Sequence, residues 1–243
     1  VTAHDNNVLH DKLYLTLEKD EKIDLIPALQ KQANAIVLTA QGISFLHAGD
    51  EILRTKPLAD GEGFDHNSYE SPDSTNQIRW DLITDETTQN VYNYYKGLIA
   101  LRKSDEAFRM ISNTDINDKV VFVEEDLEGL IAFEILGDDE TILVIHNAYE
   151  DAVKVSLPEG LSFRLVVNGE EAGIEDIATY TDGEKLEVSA NSTFVLYKNS
   201  VSASTYDFKV NSGISLGVII GAISGVVVIG AGAVVYFVIL KRK

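Results

Sequence analysis

Apolar positions in the stretch "KIDLIPALQKQANAIVLTAQG" fall at Ile23, Ile26, Leu29, Ala33, Ile36 and Val37. This spacing follows a 3.6-residue period and predicts an amphipathic helix, with Gly42 as its stop. The next run, "ISFLHAG", is too short for a helix and closes on Gly49, which predicts a buried strand. Residues 50 to 80, "DEILRTKPLADGEGFDHNSYESPDSTNQIRW", have few periodic hydrophobics and contain Pro57, Gly61, Gly63 and Pro72. They predict a long ordered loop of the kind that carries function. Helical spacing returns through Val91, Tyr94, Tyr95, Leu98 and Leu101, with Asp85 and Glu86 placed to suit the positive end of the helix dipole.

Beyond Phe108 the period changes. "KVVFVEED", "LIAFEIL", "TILVIHNA", "AVKVSL", "FRLVVNG", "KLEVSA" and "TFVLYKN" are short runs of Val, Ile, Leu and Phe, separated by acidic or glycine turns. Such a series predicts an antiparallel β-sandwich. Residues 201–213 read as a linker. No charge occurs between Val210 and Leu240, and "KRK" follows. At about 1.5 Å per residue, such a stretch can cross a hydrocarbon core of about 30 Å. It predicts a transmembrane helix at 214–240 and a cytoplasmic tail at 241–243, the soluble part lying outside the cell in a single-pass cell-membrane protein.

Composition narrows the partners. Among 243 residues, 39 are Asp or Glu and 20 Lys or Arg, giving a formal net charge of −19. That charge repels phosphate backbones, so nucleic acid is not expected, while a neutral ligand such as a sugar remains compatible. The absence of cysteine removes thiol nucleophiles and cysteine metal sites. Asp60, Glu62 and Asp65 lack the spacing of an EF-hand loop, so no metal or cofactor is expected and calcium is not indicated. The one methionine is Met110, so the sequence reads as a partial one. One strand and two helices also leave apolar faces uncovered, and partners upstream are expected.

A family comes into view at "AHDN" with "DKL", then "QGISFLHAGDE", "RTK" and "HNSYESPDSTNQIRW", in this order from His4 to Trp80. The set resembles the end of type I pullulanases, debranching enzymes of the α-amylase superfamily (glycoside hydrolase family 13), and the likeness covers about residues 1 to 200. It implies that residues 1–105 are the incomplete C-terminal end, strands seven and eight, of a catalytic (β/α)8 TIM barrel. A C-terminal β-sandwich would follow at 106–200.

The resemblance also implies an activity: hydrolysis of α-1,6-glucosidic linkages in pullulan, starch or related α-glucans, with retention. Asp5 matches the carboxylate that stabilises the transition state, and His4 the neighbouring histidine that binds the same sugar. Asn67, Tyr69, Asp73 and Asn76 are the substrate-binding candidates of the long loop: amides and a carboxylate for hydroxyls, and a ring for a glucose face. The family's nucleophile and general acid would lie upstream of Val1, so the fragment alone is expected to be inactive. Read locally, Asp5 equally fits a helix N-cap before "NNVLHDKL", and "NSYESPDS" a turn-rich connection. Two other activities stay open: another α-1,6-acting member of the family, such as an isoamylase or glycogen debranching enzyme, and a non-catalytic surface glucan-binding protein.

Overall fold

The computed structural model describes residues 2, 6–18, 22–124, 126–181 and 183–210. Among the described residues five α-helices precede the strands: α1 (Leu9–Leu17), α2 (Ile26–Thr39), α3 (Asp73–Asn76), α4 (Glu86–Ser104) and α5 (Asn113–Lys119). Helix α4 forms where its pattern predicts. Its N-cap Asp85 accepts from Thr88 N at 2.9 Å, Glu86 lies in its first turn, and Arg102 and Lys103 lie in its last. Both ends therefore complement the helix dipole. All five predicted apolar residues, Val91, Tyr94, Tyr95, Leu98 and Leu101, are buried.

Helix α2 begins with Pro27 in its first turn, where a missing N–H is harmless. Its buried side differs from the expected stripe: Ile26, Ala35 and Leu38 go inside together with Gln30, Lys31, Gln32 and Asn34, while Ile23 and Ile36 are exposed. The reason is that this side meets polar backbone. Gln32 Nε2 donates to Asn147 O (2.7 Å) and Ser192 O (3.0 Å), and Gln30 Nε2 donates to Asp50 O.

Nine strands follow among the described residues: β1 (Val120–Phe122), β2 (Leu130–Leu136), β3 (Thr141–Asn147), β4 (Val153–Ser156), β5 (Ser162–Val167), β6 (Ala178–Thr181), β7 (Lys185–Val188), β8 (Ser192–Lys198) and β9 (Asp207–Val210). Six form a sheet in the order β1-β2-β3-β8-β5-β6, with antiparallel neighbours, and three form a sheet in the order β7-β4-β9. Two of the nine, β6 and β9, lie outside the seven apolar runs, and β9 falls in the stretch expected as a linker.

Period two sorts the larger sheet into two faces. Phe133, Ile135, Ile142, Val144 and Val195 form one core with Ala35 and Leu38 of α2, Tyr94, Leu98 and Leu101 of α4, and Phe108. Alternate residues Leu143, Ile145 and Leu196 face the other way and are also buried, as are Val153, Val155, Leu186 and Val188 of the smaller sheet. The described residues up to Lys209 belong to one compact unit.

The fold corrects the expected end of a TIM barrel. Residues 42–49, read as barrel strand eight, form no strand, and Ile43 and Phe45 are exposed instead of buried. All named strands lie between Val120 and Val210. Such a barrel is a cylinder of parallel strands, and among the described residues the short apolar run of residues 43–47 has no neighbouring strand to satisfy its backbone. The result is a β-rich unit with helices packed on it. Among the described residues no helix is long and apolar enough to cross a membrane. Segment 214–240 lies outside the described residues.

Candidate functional site

The long loop is an ordered structure held by its own side chains. Gly49 enters it with φ +97°, and a Cβ there would lie 2.4 Å from Arg54 Cδ, so both conformation and space call for glycine. Arg54 is buried; it donates from Nη1 to Ala48 O at 3.0 Å and from Nη2 to Asn76 O. Lys56 is buried too, its N–H donating to Asp11 Oδ2 (2.9 Å) and its Nζ to Ser68 Oγ (2.8 Å). Burial lowers the Lys56 ammonium from its ordinary value, and the nearby Arg54 charge acts the same way. Thr75 Oγ1 donates to Pro57 O at 2.8 Å. Ser71 Oγ and Asn67 N both donate to the Asp65 carboxylate, which holds it below its usual range.

Against this scaffold the predicted residues separate into two kinds. Asn67 and Asp73 are exposed, at the entry to a 3-10 turn (Ser68–Glu70) and at the start of α3. Tyr69, at the centre of that turn, is 79% exposed, so one ring face is open to solvent. Asn76 is a brace: its Nδ2 donates to Ser68 O (2.6 Å) and Ser71 O (3.1 Å), tying α3 to the turn that carries Asn67 and Tyr69. His4 and Asp5 lie outside the described residues.

Trp80 follows at the loop's end, 61% exposed, and offers a second ring that the residue pattern alone does not mark as a candidate. Asp50 was also missed. It is buried, accepts from Thr2 Oγ1 at 2.9 Å, and has its other oxygen unpaired. Burial raises it from 3.8 to about 6, against the lowering effect of the Thr2 bond. An Asp directly after the glycine that closes an apolar run was the available signal. No group of three or more His, Cys, Asp or Glu among the described residues could hold a metal ion.

His146, read as structural, is buried on β3 with Nδ1 2.8 Å from Thr193 Oγ1. Burial lowers it from 6.5 to about 4, so the ring is neutral.

The known proteins to which this chain is similar include several named pullulanase. A family model described as "Pullulanase, all-beta domain" matches residues 116–171. The pullulanase of Bacillus subtilis (strain 168) is 35% identical over 202 residues, 81% of this chain and 26% of its own. Pullulanase A of Streptococcus pneumoniae (serotype 2) is 33% identical over 222 residues, 73% of this chain and 18% of its own. Among solved structures, the pullulanase from Bacillus acidopullulyticus superposes with a TM-score of 0.71 at 30% identity, over 81% of this chain and 23% of that one. The Group B Streptococcus pullulanase SAP, solved with maltotetraose, gives 0.70 at 27% identity, over 81% and 31%.

The chain therefore resembles pullulanases in sequence and in fold, and it spans about a quarter or less of the length of these curated relatives.

Proposed function

We propose that this chain is the C-terminal part of a pullulanase that hydrolyses α-1,6-glucosidic linkages in pullulan, starch or related α-glucans. The observation that carries the reading is the braced loop from Arg54 to Trp80. Buried Arg54 and Lys56 and the Asn76 amide hold its backbone, and Asn67, Tyr69 and Asp73 are left facing solvent. Sugar recognition asks for such a surface: a ring face for the C–H side of a glucose, with amide and carboxylate groups for its hydroxyls. Relatives named pullulanase, one of them solved with maltotetraose, support α-glucan as the ligand.

In this reading the mechanism is double displacement with retention. The nucleophile and general acid come from outside this chain, and Asp5 and His4 hold the sugar whose ring acquires positive charge in the transition state. The chain alone has no hydrolytic activity. The test is the parent protein assayed on pullulan, with Asp5→Asn beside it. Activity on pullulan that falls by a factor of 100 or more in the variant supports the reading. A parent that binds pullulan without cleaving it makes the protein a glucan-binding one instead. Faster cleavage of glycogen than of pullulan points to an isoamylase or debranching enzyme.

A further inference from the structure

The carboxylate of Asp50 is 2% exposed, in the 3-10 turn Asp50–Ile52 that opens the long loop. A buried carboxylate is costly unless something needs its charge or its two acceptor oxygens. The backbone beneath it is fixed. Asp50 N donates to His47 O at 3.1 Å, and Asp50 O accepts from Leu53 N at 3.3 Å and from Gln30 Nε2 of α2. The side chain therefore projects from a rigid support.

Its reach is toward the N-terminal segment. Oδ2 accepts from Thr2 Oγ1 at 2.9 Å, and Thr2 is itself buried. The backbone N–H of Leu9 also favours the charged form of this carboxylate. Leu9 is the first residue of α1, and the N-cap residue Val8 makes no side-chain cap. A carboxylate from the neighbouring loop thus stands at a helix start that Val8 leaves uncapped, where the helix dipole favours negative charge. Further along the same helix, Asp11 Oδ2 accepts from Lys56 N at 2.9 Å and ties α1 to the same loop again. In the sequence, Thr2 and Leu9 bracket His4 and Asp5.

We propose that Asp50 is a positioning residue for His4 and Asp5, anchoring the chain before them through the Thr2 hydroxyl and after them through the start of α1. The inference rests on the reading of Asp5 as the carboxylate that stabilises the transition state. Such a group acts only when it is preorganised, and a displacement of about 1 Å can cost about 100-fold in rate. Packing alone would be better served by an amide. Burial raises Asp50 to about 6, so at neutral pH its charge works against folding. The carboxylate supplies what an amide does not: two acceptor oxygens, and no donor, for N–H and O–H groups on both sides of one segment.

The test is steady-state cleavage of pullulan by the parent protein carrying Thr2→Val, Thr2→Ser, Asp50→Asn or the Thr2→Val/Asp50→Asn pair, with the thermal midpoint of each recorded at about pH 7.5. Thr2→Val and Asp50→Asn should each lower kcat by about 10- to 100-fold with KM within about threefold, as loss of a transition-state interaction requires. Thr2→Ser keeps the hydroxyl and should retain most of the rate. The pair should lose little more than the worse single variant, because both changes remove one connection. Asp50→Asn should keep or raise the midpoint, so activity and stability part company, which a merely structural carboxylate does not produce. An active parent that Asp5→Asn silences, but in which Thr2→Val and Asp50→Asn leave kcat unchanged, overturns the inference and leaves the functional reading standing. Losses that multiply in the pair, or rates that fall only in step with the midpoint, do the same. A parent with no action on pullulan overturns the functional reading, and this inference with it.

Discussion

The Lys198 ammonium and the Glu134 carboxylate form an ion pair with both side chains essentially out of water. Register places them on one face of the larger sheet, since Glu134 pairs with Leu143 and Leu143 with Leu196, two residues from Lys198. The segment after β8 supplies the remaining partners. Lys198 Nζ donates to Ser202 O (2.7 Å) and Ser204 Oγ (2.9 Å), while Ser204 N (2.9 Å) and Tyr206 OH (2.5 Å) donate to Glu134. Removing one charge strands the other in a dry site, which costs about 3–5 kcal/mol. Glu134→Ala and Lys198→Ala should each lose that much in urea unfolding. Glu134→Leu combined with Lys198→Met should recover most of it, and a double variant as unstable as the singles would show that the network contributes more than charge neutralisation.

Gly97 has no free volume for a side chain. A Cβ there would lie 1.7 Å from Ala172 O, where α4 passes the backbone after β5. Backbone cannot swing aside as a side chain can, so Gly97→Ala forces the helix and the 168–177 loop apart despite alanine's better helix propensity. The expected cost is about 2 kcal/mol or more, a fall of about 4–8 °C in melting temperature for a domain of this size. An unchanged or raised midpoint would mean that the contact is looser than described.

The same two elements show what the sequence made legible. Helix α4 meets the sheet through Tyr94, Leu98 and Leu101, apolar residues at helical spacing, and its pattern therefore announced both the helix and its buried side. The central strands announced themselves through apolar runs bounded by acidic turns. Helix α2 announced its existence but not its orientation, because Gln30 and Gln32 enter the interior to reach backbone carbonyls, and amides do not register in a hydrophobic count. "ISFLHAG" has the composition of a buried strand, yet a strand is made by its neighbours, and residues 43–47 have none among the described residues. In the candidate site, residue types pointed to the loop. They could not tell the outward-facing Tyr69 from the bracing Asn76, because that division follows from where the backbone turns.

Stability between about pH 4 and 6.5 should reflect two opposed buried groups. His146 is depressed to about 4, so its contribution is present above the unfolded value of 6.5 and is lost as pH falls from there toward 4. Asp50 is raised to about 6, so its contribution is present below the unfolded value of 3.8 and is lost as pH rises through 6. Each shift amounts to about 3 kcal/mol across its window, and the two slopes offset between about pH 4 and 6. Relative to the nearly flat profile of the unsubstituted chain, Asp50→Asn should therefore make stability rise from pH 4 to 6, and His146→Gln should make it fall. Denaturant midpoints at half-unit pH intervals give both slopes. Identical pH profiles for the three proteins would remove either group as a determinant.

Tyr69 and Asn76 should respond differently if the braced loop binds glucan. Tyr69 spends most of its surface on solvent, so Tyr69→Ala should leave unfolding within about 0.5 kcal/mol of the unsubstituted protein. Loss of its ring should weaken binding of maltotetraose by the parent protein by about 5- to 50-fold, the worth of a good stacking and apolar contact. Asn76→Ala leaves two carbonyls, those of Ser68 and Ser71, without the amide that joins them. Its cost appears first in stability, about 1–2 kcal/mol, and in faster cleavage of the 65–76 segment by protease. Binding then falls because the turn carrying Tyr69 is no longer held, and calorimetry with maltotetraose should show a larger entropic penalty for Asn76→Ala than for Tyr69→Ala. Equal losses of stability in the two variants would place Tyr69 in the scaffold. Undiminished binding in both would move the sugar away from this loop.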